Sequence, residues 1–434
     1  MKIINIKQLI ILLTLILLPF SKVIADAQQY FEKANILAMY GKWQEAIDFY
    51  DLAIKYNPDL AEAYNNKGAA LDKLDKWQDA IDSYDLAIKY KPDFADAYYN
   101  KGEVLSKLGK WQEAIILNNL AIKYKPDHAK AYTNKGNNLY KLDKLHEAIN
   151  SYDLAIKYKP DLAEAYYNKA IALEKLNKYQ EAIDSYDLAI KYKFDYAKAY
   201  YNKGVDLGKL GKLHEAIIAY DLAIKYKFDY TDAYYNKGTT LDELDKWQDA
   251  IDCYDLAIKY KPDFAIAYHN KGTTLCKLGK WHKAINFYDL AIKYKPDLAE
   301  AYYNKGVALD KLDKWQDAII AYDLAIKYKP DFANAYYSKG IALDKLGKHP
   351  EEIIAYDLAI KYKPDFAKAY YNKGMTLGKL GKYQEAITLF DLTIKYKPDD
   401  ARAYYNKGVA LKKLGKNSQA EEALSKAEQL RTRH

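Results

Sequence analysis

The sequence predicts an all-α fold built from tandem helical hairpins, and three observations predict it. A unit of 34 residues recurs twelve times between residues 27 and 434, with no insertion and no remainder. Each unit holds two stretches whose apolar residues return every three or four positions, as on one face of a helix. Short polar turns containing Gly, Asp or Pro separate these stretches. Because the units fill the chain after residue 26, we expect no second folded domain.

The copy at residues 299–332 serves as the reference unit, and its first residue is called place 1. Tyr302, Gly306 and Leu309 mark one face of a first helix. Ala318 and Tyr322 mark the apolar face of a second helix. Places are numbered in the same way in every repeat. The repeats begin at Ala27, Ala61, Ala95, Ala129, Ala163, Ala197, Thr231, Ala265, Ala299, Ala333, Ala367 and Ala401.

The helix ends follow from the residues between the apolar stretches. Asp313 and Lys314 predict the break between the first and the second helix. Lys327 suits the negative end of the second helix, and Pro330 cannot continue it. Asp331 comes next, at place 33, and predicts a side-chain N-cap for the following first helix.

This unit resembles a tetratricopeptide (TPR) repeat in its length and in its pattern of large and small residues. The residues that carry the resemblance in the reference unit are Tyr302, Gly306, Leu309, Trp315, Ala318, Tyr322, Ala325 and Pro330. The resemblance implies a right-handed superhelical α-solenoid over residues 26–434. It also implies that the first helices line a concave side, where proteins of this family bind peptides. We therefore expect one continuous spiral whose inner wall is made of first helices.

A ladder of asparagines is the first candidate site. An asparagine side chain both donates and accepts, so it can pair with a peptide backbone without reading its sequence. The alternative is a solvated polar residue that was copied by recent duplication. At place 6, broken only in the first and tenth repeats, the asparagines are Asn66, Asn100, Asn134, Asn168, Asn202, Asn236, Asn270, Asn304, Asn372 and Asn406.

A tyrosine and aliphatic groove over the last four repeats is the second candidate site. Place 9 becomes apolar toward the C-terminus, one turn away from the tyrosines of place 5. Such a groove would accept the apolar side chains of an extended peptide or of a partner helix. The alternative is packing against neighbouring helices. The groove residues are Tyr303, Tyr337, Tyr371 and Tyr405 with Val307, Ile341, Met375 and Val409.

Residues 1–25 predict a secretory signal peptide. Lys2 and Lys7 precede an apolar run of 12 residues, Leu9 to Phe20, and small residues follow, with cleavage expected after Ala25. The run is short against the roughly 20 residues that a spanning helix needs. We expect export to a bacterial periplasm or to the medium and no membrane span in the mature chain. The alternative is an uncleaved membrane anchor.

The composition disfavours several other functions. Removal of residues 1–25 lowers the formal charge from +8 to +5, and both signs alternate within every repeat, which gives no support to nucleic-acid binding. The seven histidines are scattered, without the spacing of a zinc site. No phosphate-binding glycine loop occurs. We expect no enzyme activity, no cofactor and no metal, and we expect Cys253 and Cys276 to be free thiols.

Two functions remain open from the sequence. The first is a non-catalytic scaffold that binds protein or peptide partners in the groove. The alternative is a structural surface or envelope protein that acts as a spacer or self-associates. The tenth repeat departs most from the others, because Glu352 replaces a small residue at the closest helix contact. Since a buried carboxylate is costly, we expect this hairpin to open or shift so that water reaches Glu352.

Overall fold

The computed structural model describes residues 25–432, which form helices joined by short turns and contain no β-strand. The predicted signal peptide lies outside these residues, apart from Ala25. The helices are α1 (25–39), α2 (Trp43–Tyr56), α3 (Ala61–Lys73), α4 (Trp77–Tyr90), α5 (Ala95–Lys107), α6 (Trp111–Tyr124), α7 (Ala129–Lys141), α8 (Leu145–Tyr158), α9 (Ala163–Lys175), α10 (Tyr179–Tyr192), α11 (Ala197–Lys209), α12 (Leu213–Tyr226), α13 (Thr231–Glu243), α14 (Trp247–Tyr260), α15 (Ala265–Lys277), α16 (Trp281–Tyr294), α17 (Ala299–Asp310), α18 (Trp315–Tyr328), α19 (Ala333–Lys345), α20 (His349–Tyr362), α21 (Ala367–Lys379), α22 (Tyr383–Tyr396), α23 (Ala401–Lys413) and α24 (Asn417–Arg431). Odd numbers are therefore first helices and even numbers second helices, as the periodicity predicts.

The helices form two compact units, the first ending at Tyr226 and the second beginning at Lys227. The first unit contains α1 to α12, and the second contains α13 to α24. In each unit a first helix packs against the second helix of its own repeat, and that second helix packs against the next first helix. A single hairpin cannot bury its apolar face, so stability comes from this stacking.

Small residues bring the two helices of each hairpin close together. Alanine occupies place 20 in eleven repeats and is at most 2 % exposed. The tyrosine of place 24 packs over the glycine of place 8, and a Cβ added to Gly306 would lie 2.5 Å from the Tyr322 ring. Tyr322 is fully buried as a result. In eight of the twelve repeats, the core therefore contains an aromatic ring that lies over a glycine.

Polar and aromatic contacts recur within and between the repeats. The lysine of place 7 pairs with the aspartate of place 25 in the preceding repeat, as in Lys305 and Asp289, whose charged atoms are 2.5 Å apart. The tyrosine of place 4 stacks on the tyrosine of place 30 in its own repeat, with 5.5 Å between the ring centroids of Tyr302 and Tyr328. The Tyr302 hydroxyl also donates to the backbone oxygen of Pro296. The same contacts recur along each unit.

The turn between the two helices has one conformation throughout the described residues. Place 15 has a positive φ, between 56° and 76°, in all twelve repeats. Seven repeats carry glycine there, which adopts this conformation without steric cost, and five carry Asp or Asn, which tolerate it best among the other residues. This confirms the predicted break at Asp313.

The predicted N-cap at place 33 is wrong. The first helices begin one residue later, so that the cap is place 34, and in most repeats that residue is apolar or aromatic and gives no side-chain cap, as with Phe332. The backbone oxygen of Asp331 accepts from Ala333 N at 2.8 Å instead. Only at His128 and Asp400 does a side chain cap a described first helix. The turn geometry therefore decides the cap, and the carboxylate lies one position too early.

At two glycines of the sixth repeat, the same substitution is expected to have opposite effects on stability. Gly208 lies inside α11 and Gly211 in the following turn, and an added Cβ would meet no atom within 4 Å at either position. We expect Gly208→Ala to raise the free energy of unfolding by about 1 kcal/mol, because alanine favours a helix interior. We expect Gly211→Ala to lower it by about 1 kcal/mol, because φ is +73° there. Urea unfolding followed by circular dichroism measures both changes, and equal signs would contradict this explanation.

Candidate functional site

The first helices of each unit form one continuous surface. Contacts between successive first helices recur in both units, for example between α3 and α5 and between α15 and α17. Places 2, 5, 6 and 9 lie on this surface, which we call the A face. The predicted asparagines and tyrosines belong to it.

The asparagines of place 6 are half-buried, and they hydrogen-bond to the preceding repeat. Asn270 Nδ2 donates to the Tyr235 hydroxyl at 3.0 Å, and Asn406 Nδ2 donates to the Tyr371 hydroxyl at 2.8 Å. Further pairs of the same kind are Asn66 with Asn35, Asn100 with Asn65, Asn134 with Tyr99, Asn168 with Asn137, Asn202 with Tyr167, Asn304 with His269, and Asn372 with Tyr337. Asn236 occupies the equivalent position on α13.

These bonds change what the asparagine ladder can offer a ligand. One amide hydrogen already joins two repeats in most members of the ladder, so the side chain is held in a fixed orientation. The second amide hydrogen and the carbonyl oxygen are what a peptide backbone would use. The ladder therefore mainly links neighbouring repeats. Only the hydrogen-bonding groups that these links do not use remain for the recognition of a ligand.

The tyrosines of the last four repeats differ in how they are held. Tyr303 and Tyr337 are half-buried, with their rings 4.9 Å and 4.8 Å from those of Phe332 and Phe366. Tyr371 lies under the Arg402 guanidinium at 5.2 Å. Tyr405 is 43 % exposed. Burial also raises the pKa of the Tyr337 hydroxyl, so this group stays protonated at neutral pH.

An open recess of about 590 Å³ lies on the A face between α17, α19 and α21. Tyr303 and Tyr337 line it together with Ser338 of place 6 and Asn334 of place 2. Three lysines complete the wall, and one of them, Lys363, lies over the Phe366 ring at 5.0 Å. The residues that line it are Tyr303, Asn334, Tyr337, Ser338, Lys363, Asp365, Phe366, Ala367, Lys368, Tyr396 and Lys397. We call it the Tyr337 recess.

A second, smaller recess of about 140 Å³ follows between α21, α22 and α23. It brings together Met375, Asn406 and Val409, three of the residues that the sequence selects. Val307 and Ile341 are half-buried, and Val307 packs against the core of the ninth and tenth repeats. Of the place 9 residues, Met375 and Val409 therefore line a recess, and Val307 packs against the core.

The structure also brings together three residues that sequence reasoning did not combine. Asp344 of α19 and His349 and Glu352 of α20 have donor atoms within 4.8 Å of one another. The expected opening of this hairpin is wrong, because Glu352 is 1 % exposed and hydrogen-bonds to His349 and to the Thr376 hydroxyl. The sequence carried one sign of this cluster, because the tenth repeat differs from the other repeats at places 17 and 20 together.

Within the described residues, Cys253 and Cys276 form no disulfide, in agreement with the expectation that both are thiols. Burial raises the pKa of the Cys276 thiol. Within residues 25–432, no helix is both long enough and apolar enough to span a bilayer.

Comparison with known families identifies the repeat. Models described as "TPR repeat" match residues 73–109 and 272–313. Models described as "Tetratricopeptide repeat" match 95–128, 133–198, 197–230, 231–264, 253–286, 299–332, 333–366 and 371–432. Together these matches cover well over half of the chain. No curated protein sequence matches it.

Solved structures with stacked helical hairpins are also similar to parts of the chain. The crystal structure of YrrB, titled a TPR protein with an unusual peptide-binding site, is 25 % identical, with a TM-score of 0.38, over 42 % of this chain and 93 % of its own. A structure of the MamA protein is 29 % identical, with a TM-score of 0.37, over 40 % and 94 %. Yeast Tom70 is 16 % identical, with a TM-score of 0.39, over 92 % and 95 %. On its family matches and its twelve helical hairpins, the chain belongs to the tetratricopeptide repeat family.

Proposed function

We propose that this protein is an exported, non-catalytic scaffold that binds a protein or peptide partner along the A face of its last four repeats. The observation that carries the proposal is the Tyr337 recess, where half-buried tyrosines meet polar and basic side chains at an open surface. Membership in a family of interaction repeats supports it.

Recognition would combine anchoring and backbone pairing. Tyr303 and Tyr337 are held by neighbouring rings, so they lose little side-chain freedom when a ligand covers them. An apolar side chain of an extended peptide would lie against these rings. The remaining hydrogen-bonding capacity of Asn304 and Asn406, whose Nδ2 groups bond to the preceding repeat, would pair with the peptide backbone. Lys363, Lys368 and Lys397 would favour a ligand that carries acidic groups.

Replacing two A-face tyrosines tests this mode of binding. We expect the double variant Tyr337→Ser with Tyr371→Ser to weaken binding roughly a hundredfold, because each aromatic anchor contributes about 1–2 kcal/mol. The probe is a peptide selected from a random display library against the full chain, and fluorescence anisotropy measures its affinity.

The matched control replaces apolar residues on second helices. Ile320 and Ile354 are 53 % and 59 % exposed, so Ile320→Ser with Ile354→Ser removes a similar apolar area from a different surface. We expect this variant to keep the affinity of the original chain. Equal loss in both double variants, or no loss in the tyrosine variant at unchanged helicity, would contradict the proposed site. A photoreactive residue at Asn270, followed by crosslinking in the native host, would then identify the natural partner.

Self-association is the second candidate function, and exposed isoleucines on the second helices favour it. Place 22 carries Ile116, Ile218, Ile320 and Ile354, each more than half exposed. Scattered exposed apolar residues are normal, but Ile320 and Ile354 occupy the same place in two successive repeats, and such a pair can mediate contacts between copies. Light scattering after size exclusion separates the two functions, since a monomer at all concentrations excludes assembly through these residues.

Export is part of the proposal and has its own test. It rests on the basic residues, apolar run and small residues within residues 1–25. Cell fractionation in a bacterial host should place the protein outside the cytoplasm, with a mature N-terminus at Asp26. Retention of the complete N-terminus in a membrane fraction would favour the anchored alternative.

A further inference from the structure

The tenth repeat differs from the other eleven at two neighbouring places. Place 20 is alanine in every other repeat but glutamate, Glu352, in this one. Place 17 carries Trp, Tyr, Leu or Asn in the other repeats but histidine, His349, in this one. Two residues able to bind a metal ion therefore appear together where the family pattern calls for packing residues.

The fold places both side chains close to a third residue that can bind a metal ion. His349 and Glu352 lie three residues apart in the first turn of α20, on one face of that helix. Asp344 lies near the end of α19, on the other side of the turn. His349 Nδ1 is 2.9 Å from a carboxylate oxygen of Glu352, and the donor atoms of all three residues lie within 4.8 Å of one another.

The charges of this cluster favour the binding of a cation. Glu352 is 1 % exposed, and an ionised carboxylate at such depth is costly unless positive charge compensates it. Its hydrogen-bond partners are the His349 imidazole and the Thr376 hydroxyl. Lys379 lies 2.6 Å from Asp344 and pairs with that carboxylate, the outer one of the two. A divalent ion between the carboxylates would neutralise the buried charge directly.

We propose that Asp344, His349 and Glu352 form a binding site for one divalent transition-metal ion, with Zn²⁺ as the best match. One nitrogen and two carboxylate donors suit Zn²⁺, which accepts three protein ligands and a water molecule, whereas Mg²⁺ and Ca²⁺ prefer oxygen ligands only. Bonds of about 2.0–2.1 Å place tetrahedral ligands about 3.3 Å apart. His349 Nδ1 and the Glu352 carboxylate, 2.9 Å apart, are already close to this spacing, and the Asp344 carboxylate, within 4.8 Å of both, would supply the third ligand. The imidazole would carry its proton on Nε2 and bind through Nδ1.

Such an ion would join the two helices of the tenth hairpin across their turn. Because α19 also carries Tyr337, the site lies in the same hairpin as one wall of the Tyr337 recess. The metal site does not depend on the proposed function, since its ligands lie outside the residues that line that recess.

Zinc titration of the full chain tests this proposal. The protein is first freed of metal with a chelator, and ZnCl₂ is then titrated into it by calorimetry. We expect one saturable site per chain and a rise of the thermal unfolding midpoint on Zn²⁺ addition. We expect Glu352→Ala and His349→Trp each to lower the affinity at least about tenfold and to abolish the rise. Both introduce residues that the neighbouring repeats carry at the same places, so each variant should fold.

Glu351→Ala is the matched control, because Glu351 is exposed and lies beside Glu352 on the same helix. We expect this variant to bind Zn²⁺ like the original chain. Co²⁺ gives a second measurement, since a four-coordinate site produces strong visible absorption that Glu352→Ala should remove. The proposal is overturned if the chain shows no saturable site, or if Glu352→Ala and His349→Trp bind Zn²⁺ with unchanged affinity.

Discussion

Replacing Asp206 with alanine is expected to stabilise the protein by about 3 kcal/mol at pH 8 and to have little effect near pH 4. Asp206 is fully buried on α11, and one of its carboxylate oxygens has no hydrogen-bond partner. Burial raises its pKa to about 7, with a further contribution from the nearby Glu174 carboxylate, against the pull of Lys209. Alanine occupies the same place in repeats two, five, nine, ten and twelve.

The sign of the pH dependence follows from these pKa values. An unfolded aspartate loses its proton near pH 4, whereas Asp206 in the folded protein keeps it up to about pH 7. The folded state binds the additional proton between these values, so stability falls as the pH rises from about 4 to 7 and stays low above that range. The Asp206→Ala variant lacks this fall.

Urea unfolding at pH 4, 5, 6, 7 and 8 measures the effect. The other charged groups around Asp206 remain in the variant, namely Lys209 at 3.0 Å, and Glu174, which accepts a hydrogen bond from the Tyr186 hydroxyl. Thr240→Ala is the control, because Thr240 occupies the same place in the second unit and does not ionise. A gain from Asp206→Ala that is equal at pH 4 and pH 8 would refute the titration of this carboxylate.

The second large effect is expected from Asn118, which interrupts the row of buried aromatic rings. It replaces the tyrosine of place 24 in the third repeat, is fully buried and has a carbonyl oxygen without a partner. We expect Asn118→Leu to raise the free energy of unfolding by about 2–3 kcal/mol, because it removes an unsatisfied polar group and buries apolar surface. Leucine has a similar shape and stands at this place in the twelfth repeat, as Leu424.

The neighbouring Asn119 supplies a control for that experiment. Place 25 is aspartate in most repeats and pairs there with a lysine on the surface, as in Asp85 and Lys101. Asn119→Asp therefore also restores the repeat pattern, but only at an exposed position, where an ion pair contributes about 0–1 kcal/mol. Thermal unfolding of both variants distinguishes the two effects. A gain from Asn119→Asp that matches that of Asn118→Leu would mean that the orphaned oxygen is not the cause.

Much of the fold is predictable because each repeat confirms the others. Helix order, the packing of Gly306 against Tyr322 and the break at Asp313 follow from one 34-residue pattern. The N-cap did not follow, because the helix cap is Phe332 and the backbone oxygen of Asp331, not its carboxylate, accepts from Ala333 N. The candidate site was predicted only in part. The sequence placed Tyr303 and Tyr337 together, but it did not show that the asparagines bond between repeats.

The sequence by itself determined the architecture, since period, small residues and turn residues act over distances of a few positions. Tertiary structure decided everything that depends on side chains from different helices. It placed Asp344 close to His349 and Glu352 across a turn. It also buries Glu352, although the cost of burying a single carboxylate had predicted contact with water. The physical reason is that the cost of burying a charge depends on its partners, and those partners lie on other helices.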